Sequence, residues 1–233
     1  MKLKSFGCSF VFGSDLHDDG FGTARPTASQ HTWPALIAKK LNYQYQCYAR
    51  PGAGNLQIME QVLNQCADPE PATFVIGWTW IDRFDYYNAH WNPHQALSPW
   101  QTIMPIDQDD LAQIYYRDLH SEYRDKLVNL TYIRITIETL KQKNIPFLMT
   151  YMDRLLFDRR WNISPAVIEL QDYIGPSMTL FGSETFLEYS RSNGFEISDK
   201  MHPLEPAHVA AADYMISVFD KQKIIDPVLQ VRA

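Results

Sequence analysis

Short apolar runs alternate along this sequence with longer stretches of helical periodicity, and this alternation limits the fold more than any other feature. Four segments have the pattern of strands, at residues 2–6, 44–49, 71–79 and 145–151. Between them lie helical stripes, the clearest formed by Leu130, Ile133, Ile137 and Leu140 within residues 109–143. Strands that alternate with helices predict an α/β fold, in which helices cover both faces of a parallel sheet.

The predicted strands also indicate where a ligand would bind. Open parallel sheets bind ligands beyond the carboxyl ends of their strands. Ser9, Gly52 and Thr79 each follow a predicted strand, and the segment from Asp199 to His202 precedes the last predicted helix. We therefore expect these four places to meet at one edge of the sheet. The first strand is the least certain of the four, since its two lysines make it less apolar than a buried strand should be.

Length and charge restrict the class of protein. The 233 residues suffice for one large α/β domain, and we predict a single domain over residues 1–233 with irregular insertions near 80–107 and 153–195. A net charge of −6, from 21 basic and 27 acidic residues, argues against a nucleic-acid-binding protein, which needs a basic face. No polybasic segment or long apolar run indicates a membrane partner.

The first residues and the cysteines both indicate the cellular location of the protein. The first residues show no long apolar core or cleavage site of a signal peptide. Three cysteines, at positions 8, 47 and 66, are odd in number and lack a CxxC spacing, which indicates reduced thiols. We expect a cytoplasmic protein.

A serine near the start of the chain is a candidate nucleophile. Ser9 follows the first strand in the segment Gly7-Cys8-Ser9, where Gly7 permits a tight turn that exposes the Ser9 hydroxyl to a cleft. Alone, such a turn more often merely ends a strand. Near the other end of the chain, however, Asp199 precedes His202 by three residues. Ser9, His202 and Asp199 together would supply a nucleophile, a general base and an orienting carboxylate.

Two loops have both a functional and a plain interpretation. The loop with Gly52 and Gly54 can direct backbone N–H groups at a ligand or can be an ordinary turn before a helix that Asn55 caps. The aromatic and proline-rich segment at 80–107 can form a lid or substrate wall, or can only cover the core.

Several polar residues remain ambiguous. Arg83 can bind a substrate oxygen or pair with a neighbouring aspartate, and His208 is expected to be only a polar helix residue. The acidic segment at 15–19 contains His17 among aspartates, which invites a metal-site interpretation. Because no fixed ligand spacing supports it, we expect a solvated loop, and neither a metal nor another cofactor.

Four short blocks of this sequence resemble, in the same order, those of the SGNH hydrolase (GDSL-type esterase/lipase) superfamily. Residues 7–9 resemble its Gly-Asp-Ser nucleophile block, with Cys8 in place of aspartate. Residues 51–55 resemble its glycine block. Residues 77–80 fall at its Gly-x-Asn-Asp block, where Thr79 replaces the asparagine. The Asp-x-x-His block is intact at 199–202.

The resemblance implies a three-layer α/β/α sandwich with a flavodoxin-like sheet of five parallel strands, and hydrolysis of carboxylic esters by the triad Ser9, His202 and Asp199. It also implies an oxyanion hole formed by the N–H groups of Ser9 and Gly52, with Gly54 as the alternative to Gly52, and by the Thr79 hydroxyl.

The substrate is less constrained. The predicted substrate contacts are Trp78, near the end of the third strand, and Trp80 and Arg83, which follow it. Aromatic walls of this kind suit stacking on a sugar ring. We expect an ester of a short acyl group, with an O-acylated saccharide as one option. A non-catalytic binding or assembly module and an acyltransferase are the alternatives. The sequence leaves the oligomeric state open.

Overall fold

The computed structural model of the chain describes residues 1–20, 26–92 and 98–222, with side chains described up to residue 218. Part of the predicted aromatic segment, residues 93–97, therefore lies outside the described residues. The strands are β1 Lys2–Phe6, β2 Gln44–Cys47, β3 Ala72–Trp78, β4 Phe84–Tyr87, β5 Trp100–Ile103 and β6 Phe147–Tyr151. The α-helices are α1 Ser9–Phe12, α2 Trp33–Lys40, α3 Asn55–Gln65, α4 Asp110–Ile114, α5 Glu122–Gln142, α6 Pro165–Ile174, α7 Phe186–Ser192 and α8 Glu205–Gln222.

The main sheet is parallel throughout, with the strand order β2-β1-β3-β6. Its register pairs Phe6 with Ile76 and Trp78 with Tyr151. The predicted α/β architecture is thus confirmed, and all four strands predicted from the residues take part in the sheet.

The fifth parallel strand that the resemblance implied is not formed in the described residues. Its place beside β6 is taken by a single bridge between Met149 and Met178, where the Thr179 N–H donates to the Met149 carbonyl at 2.7 Å. The chain reaches this edge from a 3₁₀ turn, Gly175–Ser177, that contains a proline, and soon enters another turn closed by a bridge from Phe181 to Glu184. Too few extended residues remain between these turns for a ladder.

Apolar side chains pack on both faces of the sheet because neighbouring residues of each strand point to opposite sides. Phe74, Ile76 and Met149 pack on one face against α3, α5 and α6. Val75 and Leu148 pack on the other face against α2, α7 and α8. The four residues of the predicted α5 stripe are all buried, which confirms that face of the helix.

Both lysines of the first strand have acidic partners: Lys2 pairs with Glu70, and Lys4 pairs with Asp68. Lys4 lies in the middle of β1 and is fully buried, and its ammonium donates to Asp68 at 2.6 Å and to Gln65 at 3.1 Å. A buried lysine needs such partners because the desolvated charge is otherwise costly. The ammonium also lies 5.8 Å from the centre of the Phe74 ring and 6.0 Å from that of Tyr48.

The two irregular insertions contain regular elements. Within 80–107, β4 and β5 form an antiparallel pair with Phe84 opposite Ile103. The region 109–143 is helical, as predicted, but a π-helix over Tyr115–Leu119 separates α4 from α5. The second insertion holds α6 and α7. Within the described ranges, no helix combines the length and apolarity that crossing a membrane requires.

Candidate active site

The carboxyl ends of β1, β2 and β3 meet closely around Gly7. The Gly7 carbonyl accepts a hydrogen bond from the Arg50 N–H at 3.0 Å, which ties the end of β1 to the loop after β2. A Cβ atom at Gly7 would lie 2.6 Å from Val11 Cγ2 and 3.0 Å from the Gly77 carbonyl. Only glycine permits this approach, so Gly7 brings the strand end and the following helix together.

Ser9 is the first residue of α1, which is a single turn. Its residue surface is 8% exposed, and within the described ranges its N–H has no hydrogen-bond partner, as is usual at the start of a helix. The turn ends at Gly13, whose left-handed backbone (φ 87°) allows its N–H to donate to the Ser9 carbonyl at 2.8 Å. The chain reverses there and runs directly to Asp15.

Asp15 is the carboxylate that contacts His202. Its Oδ2 lies 2.8 Å from His202 Nδ1 and also accepts a hydrogen bond from the Ser198 hydroxyl at 2.7 Å. Asp15 has a left-handed backbone (φ 68°), which aspartate tolerates better than most residues, and its N–H donates to Asp19 at 2.8 Å. The loop after α1 is therefore built to hold this carboxylate against the histidine.

The predicted partner, Asp199, does not occupy this position. Asp199 is exposed, and no hydrogen bond joins it to His202 in the described part of the chain. The segment is a tight turn, closed by the Ser198 N–H donating to the His202 carbonyl at 2.9 Å, with Met201 in a left-handed conformation (φ 68°). This path leaves Asp199 on the solvent side of the turn while the imidazole turns inward toward Asp15.

The surroundings of Asp15 stabilise its charged form. Burial raises the pKa of the Asp15 carboxyl, but hydrogen bonds from His202 and Ser198 and the charges of His202 and Lys200 outweigh burial and hold that pKa below its usual value. An ionised Asp15 accepts the Nδ1–H of His202 and so fixes the tautomer in which Nε2 is free to accept a proton.

His202 lies beside the helix that carries Ser9. Its ring is 5.3 Å from the ring of Phe10, edge to face, and its side chain is 14% exposed. In the described residues no hydrogen bond joins Ser9 Oγ to His202. Such bonds are often long without substrate, so the arrangement is compatible with a serine and its base.

The glycine loop contains one available N–H group and one that is used. Gly52 has a left-handed backbone (φ 78°), and its N–H has no partner within the described residues. The Gly54 N–H donates to the Asp85 carboxylate at 2.9 Å, and a Cβ atom at Gly54 would lie 2.6 Å from that carboxylate. Gly54 is thus occupied as a structural donor, which leaves Gly52 as the candidate for the oxyanion hole.

The sequence predicts that Asn55 caps α3, but Gly54 is at the cap position. Asn55 instead holds the third block in place. Its side chain accepts a hydrogen bond from the Thr79 N–H at 2.8 Å and donates to the Thr79 carbonyl at 3.2 Å. The Thr79 hydroxyl is buried and has no hydrogen-bond partner among the described residues. Thr79 therefore lies at the expected edge with an unused donor, but solvent does not reach it in this structure.

Solved structures of known proteins share this arrangement of strands and helices. One is a member of the lipolytic G-D-S-L family from Veillonella parvula, with 14% identity over 94% of this chain and 98% of that one (TM-score 0.50). Another is the psychrotrophic esterase EstA from Pseudoalteromonas sp., with 10% identity, coverages of 95% and 98%, and a TM-score of 0.51. The chain has the SGNH hydrolase fold.

A third similar structure is a carbohydrate esterase family 2 enzyme with a carbohydrate binding domain, from Corynascus thermopiles (Myceliophthora fergusii). The identity is 13%, the TM-score is 0.52, and the match covers 93% of this chain but 64% of that longer one. No protein-family model and no curated protein sequence matches the chain.

Two of the three predicted substrate contacts have other surroundings in this SGNH fold. Trp78 is fully buried in the core, since both faces of β3 are covered by helices. Arg83 donates to the Ala53 carbonyl at 2.9 Å and lies over the Trp80 ring, with its guanidinium carbon 5.0 Å from the ring centre. Arg83 thus supports the glycine loop. Trp80 is half-buried and packs edge to face on Phe10 at 5.5 Å.

A cavity of about 250 Å³ opens next to these strand ends. Gly7 and Ala53 form part of its wall, and Tyr48 and Trp100 contribute aromatic rings. Arg50 crosses it, donating from Nη1 to Gln57 and to Ser98, both at 2.8 Å. Trp100 begins β5, so the predicted aromatic insertion does contribute to this cavity.

Reasoning from sequence missed three residues that organise the site: Asp15, Asn55 in its actual role, and Asp85. Asp15 lies six residues after Ser9, in the polar segment that the sequence predicts to be a solvated loop. Asp85 accepts hydrogen bonds from both Gly54 and Gln57, so it joins the β4–β5 pair to the glycine loop. Asp85 lies five residues after the third block, and no local pattern distinguishes it from Asp82.

Proposed function

We propose that this chain is a serine esterase in which Ser9 is the nucleophile, His202 the general base and Asp15 the orienting carboxylate. The observation that carries the proposal is the 2.8 Å contact between Asp15 and His202 Nδ1, beside the helical turn that begins with Ser9. A half-buried histidine on an ionised carboxylate, next to a serine at a strand end, is the arrangement that acyl transfer requires.

The reaction has two steps. His202 Nε2 takes the proton of the Ser9 hydroxyl as Oγ bonds to the ester carbonyl carbon. The tetrahedral intermediate collapses, its C–O bond to the alcohol breaks, and His202 protonates the departing alcohol. Water then attacks the acyl-serine with the same base, which releases the carboxylic acid and restores Ser9. Asp15 keeps its negative charge throughout and stabilises the imidazolium.

Two backbone N–H groups donate hydrogen bonds to the oxyanion of the intermediate. The N–H groups of Ser9 and Gly52 lack partners within the described ranges, which supports their role as preformed donors. The Thr79 hydroxyl is the third donor. Its lack of a partner supports this role, and it needs a small movement of the 79–80 backbone to become accessible.

The substrate is an ester of a short acyl group, and an O-acylated saccharide fits best. The cavity beside Gly7 offers the rings of Tyr48 and Trp100 together with the donors of Arg50 and Gln57. Aromatic faces with planar hydrogen-bonding groups suit the apolar face and hydroxyls of a sugar. One structurally similar protein is a carbohydrate esterase, which is compatible with this choice.

A fluorophosphonate probe and a p-nitrophenyl acetate assay test the proposal. We expect labelling of the parent protein, loss of both labelling and turnover in Ser9→Ala, and neither loss in Ser217→Ala, a serine on α8 away from the site. Labelling that survives Ser9→Ala would overturn the assignment of the nucleophile.

A non-catalytic binding module is the second candidate, favoured by the inaccessible Thr79 hydroxyl and the absence of a Ser9–His202 hydrogen bond in the described residues. It predicts no labelling and no turnover above background, but retained binding of acylated saccharide in the cavity. An acetylated xylo-oligosaccharide separates the two candidates: calorimetric titration of Ser9→Ala shows whether it binds, and incubation with the parent protein shows whether it is cleaved, which only the esterase would do.

A further inference from the structure

Two histidines and two carboxylates gather beside the candidate active site without taking part in it. His17 and His31 have ring centres 4.4 Å apart. His31 Nε2 lies 3.7 Å from Asp18 Oδ2, and Glu205 Oε1 lies 2.7 Å from His17 Nδ1. One ligand atom each from His17, Asp18 and His31 can be chosen so that all three lie within 4.8 Å of one another.

Ion pairing accounts for only part of this cluster. The His17–Glu205 contact is a normal hydrogen-bonded pair, and Asp18 Oδ2 accepts the Gln30 N–H at 2.9 Å. The Ser29 side chain also hydrogen-bonds to the Asp18 carboxylate, but Asp18 Oδ1 is shielded from solvent and has no hydrogen bond of normal geometry within the described residues. A shielded carboxylate oxygen without a well-placed donor is costly. The two imidazole rings beside it bring nitrogen atoms to the same place.

A divalent cation would fit between these three side chains. Imidazole nitrogens and carboxylate oxygens are the ligands that zinc and its first-row neighbours accept. The ion would bind the Asp18 carboxylate and one nitrogen of each imidazole. Glu205 would keep its hydrogen bond to His17 and fix the orientation of that ring, as carboxylates next to metal-binding histidines do.

We propose that His17, Asp18 and His31 form a binding site for one divalent transition-metal ion of the zinc type, with Glu205 as the positioning residue for His17. His17 lies two residues after Asp15, and Glu205 lies three residues after His202. The ion would therefore tie the loop that carries the orienting carboxylate to the start of α8, close to the base. This metal-site proposal depends only on these four residues and does not require the proposed esterase activity.

Calorimetric titration of the chelator-treated protein with zinc chloride tests this site. We expect one ion per chain, an affinity at least tenfold weaker in His31→Gln and in Asp18→Asn, and an affinity about 10–100-fold weaker in Glu205→Gln. His90→Gln removes another exposed histidine and is the matched control, with unchanged affinity expected.

Circular dichroism of each variant checks that it is folded. Asp18→Asn and Glu205→Gln keep the size of the side chain, so they remain informative if His31→Gln disturbs the loop. The proposal is overturned if the parent protein takes up no ion in stoichiometric amount, or if the folded variants bind zinc as tightly as the parent. Because the measurement is binding alone, its failure would leave the esterase proposal intact, and loss of hydrolysis in Ser9→Ala would leave the metal site intact.

Discussion

Two histidines six residues apart have opposite surroundings. His202 lies in a turn, is partly exposed and contacts the Asp15 carboxylate at 2.8 Å. His208 lies in α8, is 2% exposed, and its Nδ1 accepts the Trp33 N–H at 3.0 Å. Burial is the main cause that lowers the pKa of His208, to about 3, although Glu205 and the Pro203 carbonyl oppose it. One ring is arranged to gain a proton and the other to stay neutral.

The difference shows what makes a histidine a candidate base. A neutral, buried imidazole that accepts a backbone N–H is a packing residue, and His208 accordingly contacts the Phe186 ring at 4.8 Å. A base needs a path to solvent or substrate and a carboxylate that stabilises the imidazolium. His202 has both, and the carboxylate comes from a distant part of the chain.

Replacing Asp15 should produce the largest loss. In Asp15→Asn the amide can present its NH₂ group to His202 and favour the wrong tautomer, so we expect kcat for p-nitrophenyl acetate to fall by about 10⁴ with little change in KM. The variant keeps size and shape, and circular dichroism checks the fold. A fall of less than tenfold would mean that His202 does not depend on Asp15, and the contrast with His208 would lose its functional meaning.

Removing Ser198 should have a smaller effect on the same pair. In Ser198→Ala, Asp15 loses one donor and the His202 N–H loses an acceptor at 3.2 Å. Hydrogen bonds to charged groups contribute roughly 1.5–3 kcal/mol, so we expect kcat to fall about ten- to hundredfold. Ser198→Thr keeps the hydroxyl and should restore most of the rate. If threonine fails to rescue, Ser198 only shapes the turn.

His208 should affect stability in acid and not the rate. Its folded-state pKa is depressed, so the unfolded chain binds more protons between about pH 3 and 6.5, and the free energy of unfolding falls as pH drops through that window. The slope reaches up to about 1.4 kcal/mol per pH unit. His208→Asn cannot be protonated, so urea titrations should show a shallower loss below pH 6.5. Parallel curves for parent and variant would show that the pKa of His208 does not differ between the folded and the unfolded chain.

The strands were predictable because their signal is local. The continuous apolar run of β3 and the α5 stripe follow from period and burial, and both are present. Trp78, predicted as a substrate contact, lies in this same run and is fully buried, since a strand covered on both faces buries every side chain. The fifth strand came only from the resemblance, and the structure reduces it to the Met149–Met178 bridge.

The partner of His202 was not predictable because it depends on the path of two loops. Gly13 ends α1 and reverses the chain, and Met201 turns the last loop so that its aspartate faces solvent. Neither path has a periodic pattern, and the Asp-x-x-His spacing is compatible with both outcomes. Hydrogen bonds between distant loops, such as those that join Asn55 to Thr79 and Asp85 to Gly54, are also not predictable from the sequence.

The smallest effect is expected at Asp199, the carboxylate that the spacing favoured. Asp199 is exposed, and a solvated charge without a hydrogen bond to the imidazole is screened by water and salt. Asp199→Asn should therefore keep kcat/KM within about twofold of the parent, as independent surface sites do.

The double variant with Asp15→Asn extends this test. If the two changes are additive, Asp199 has no part in the reaction. If Asp199→Asn is harmless alone but costs a further tenfold when Asp15 is already asparagine, the turn rearranges and Asp199 substitutes for the missing carboxylate. A hundredfold loss in the single variant would instead restore Asp199 as the orienting residue and make the Asp15 contact a feature of the resting state alone.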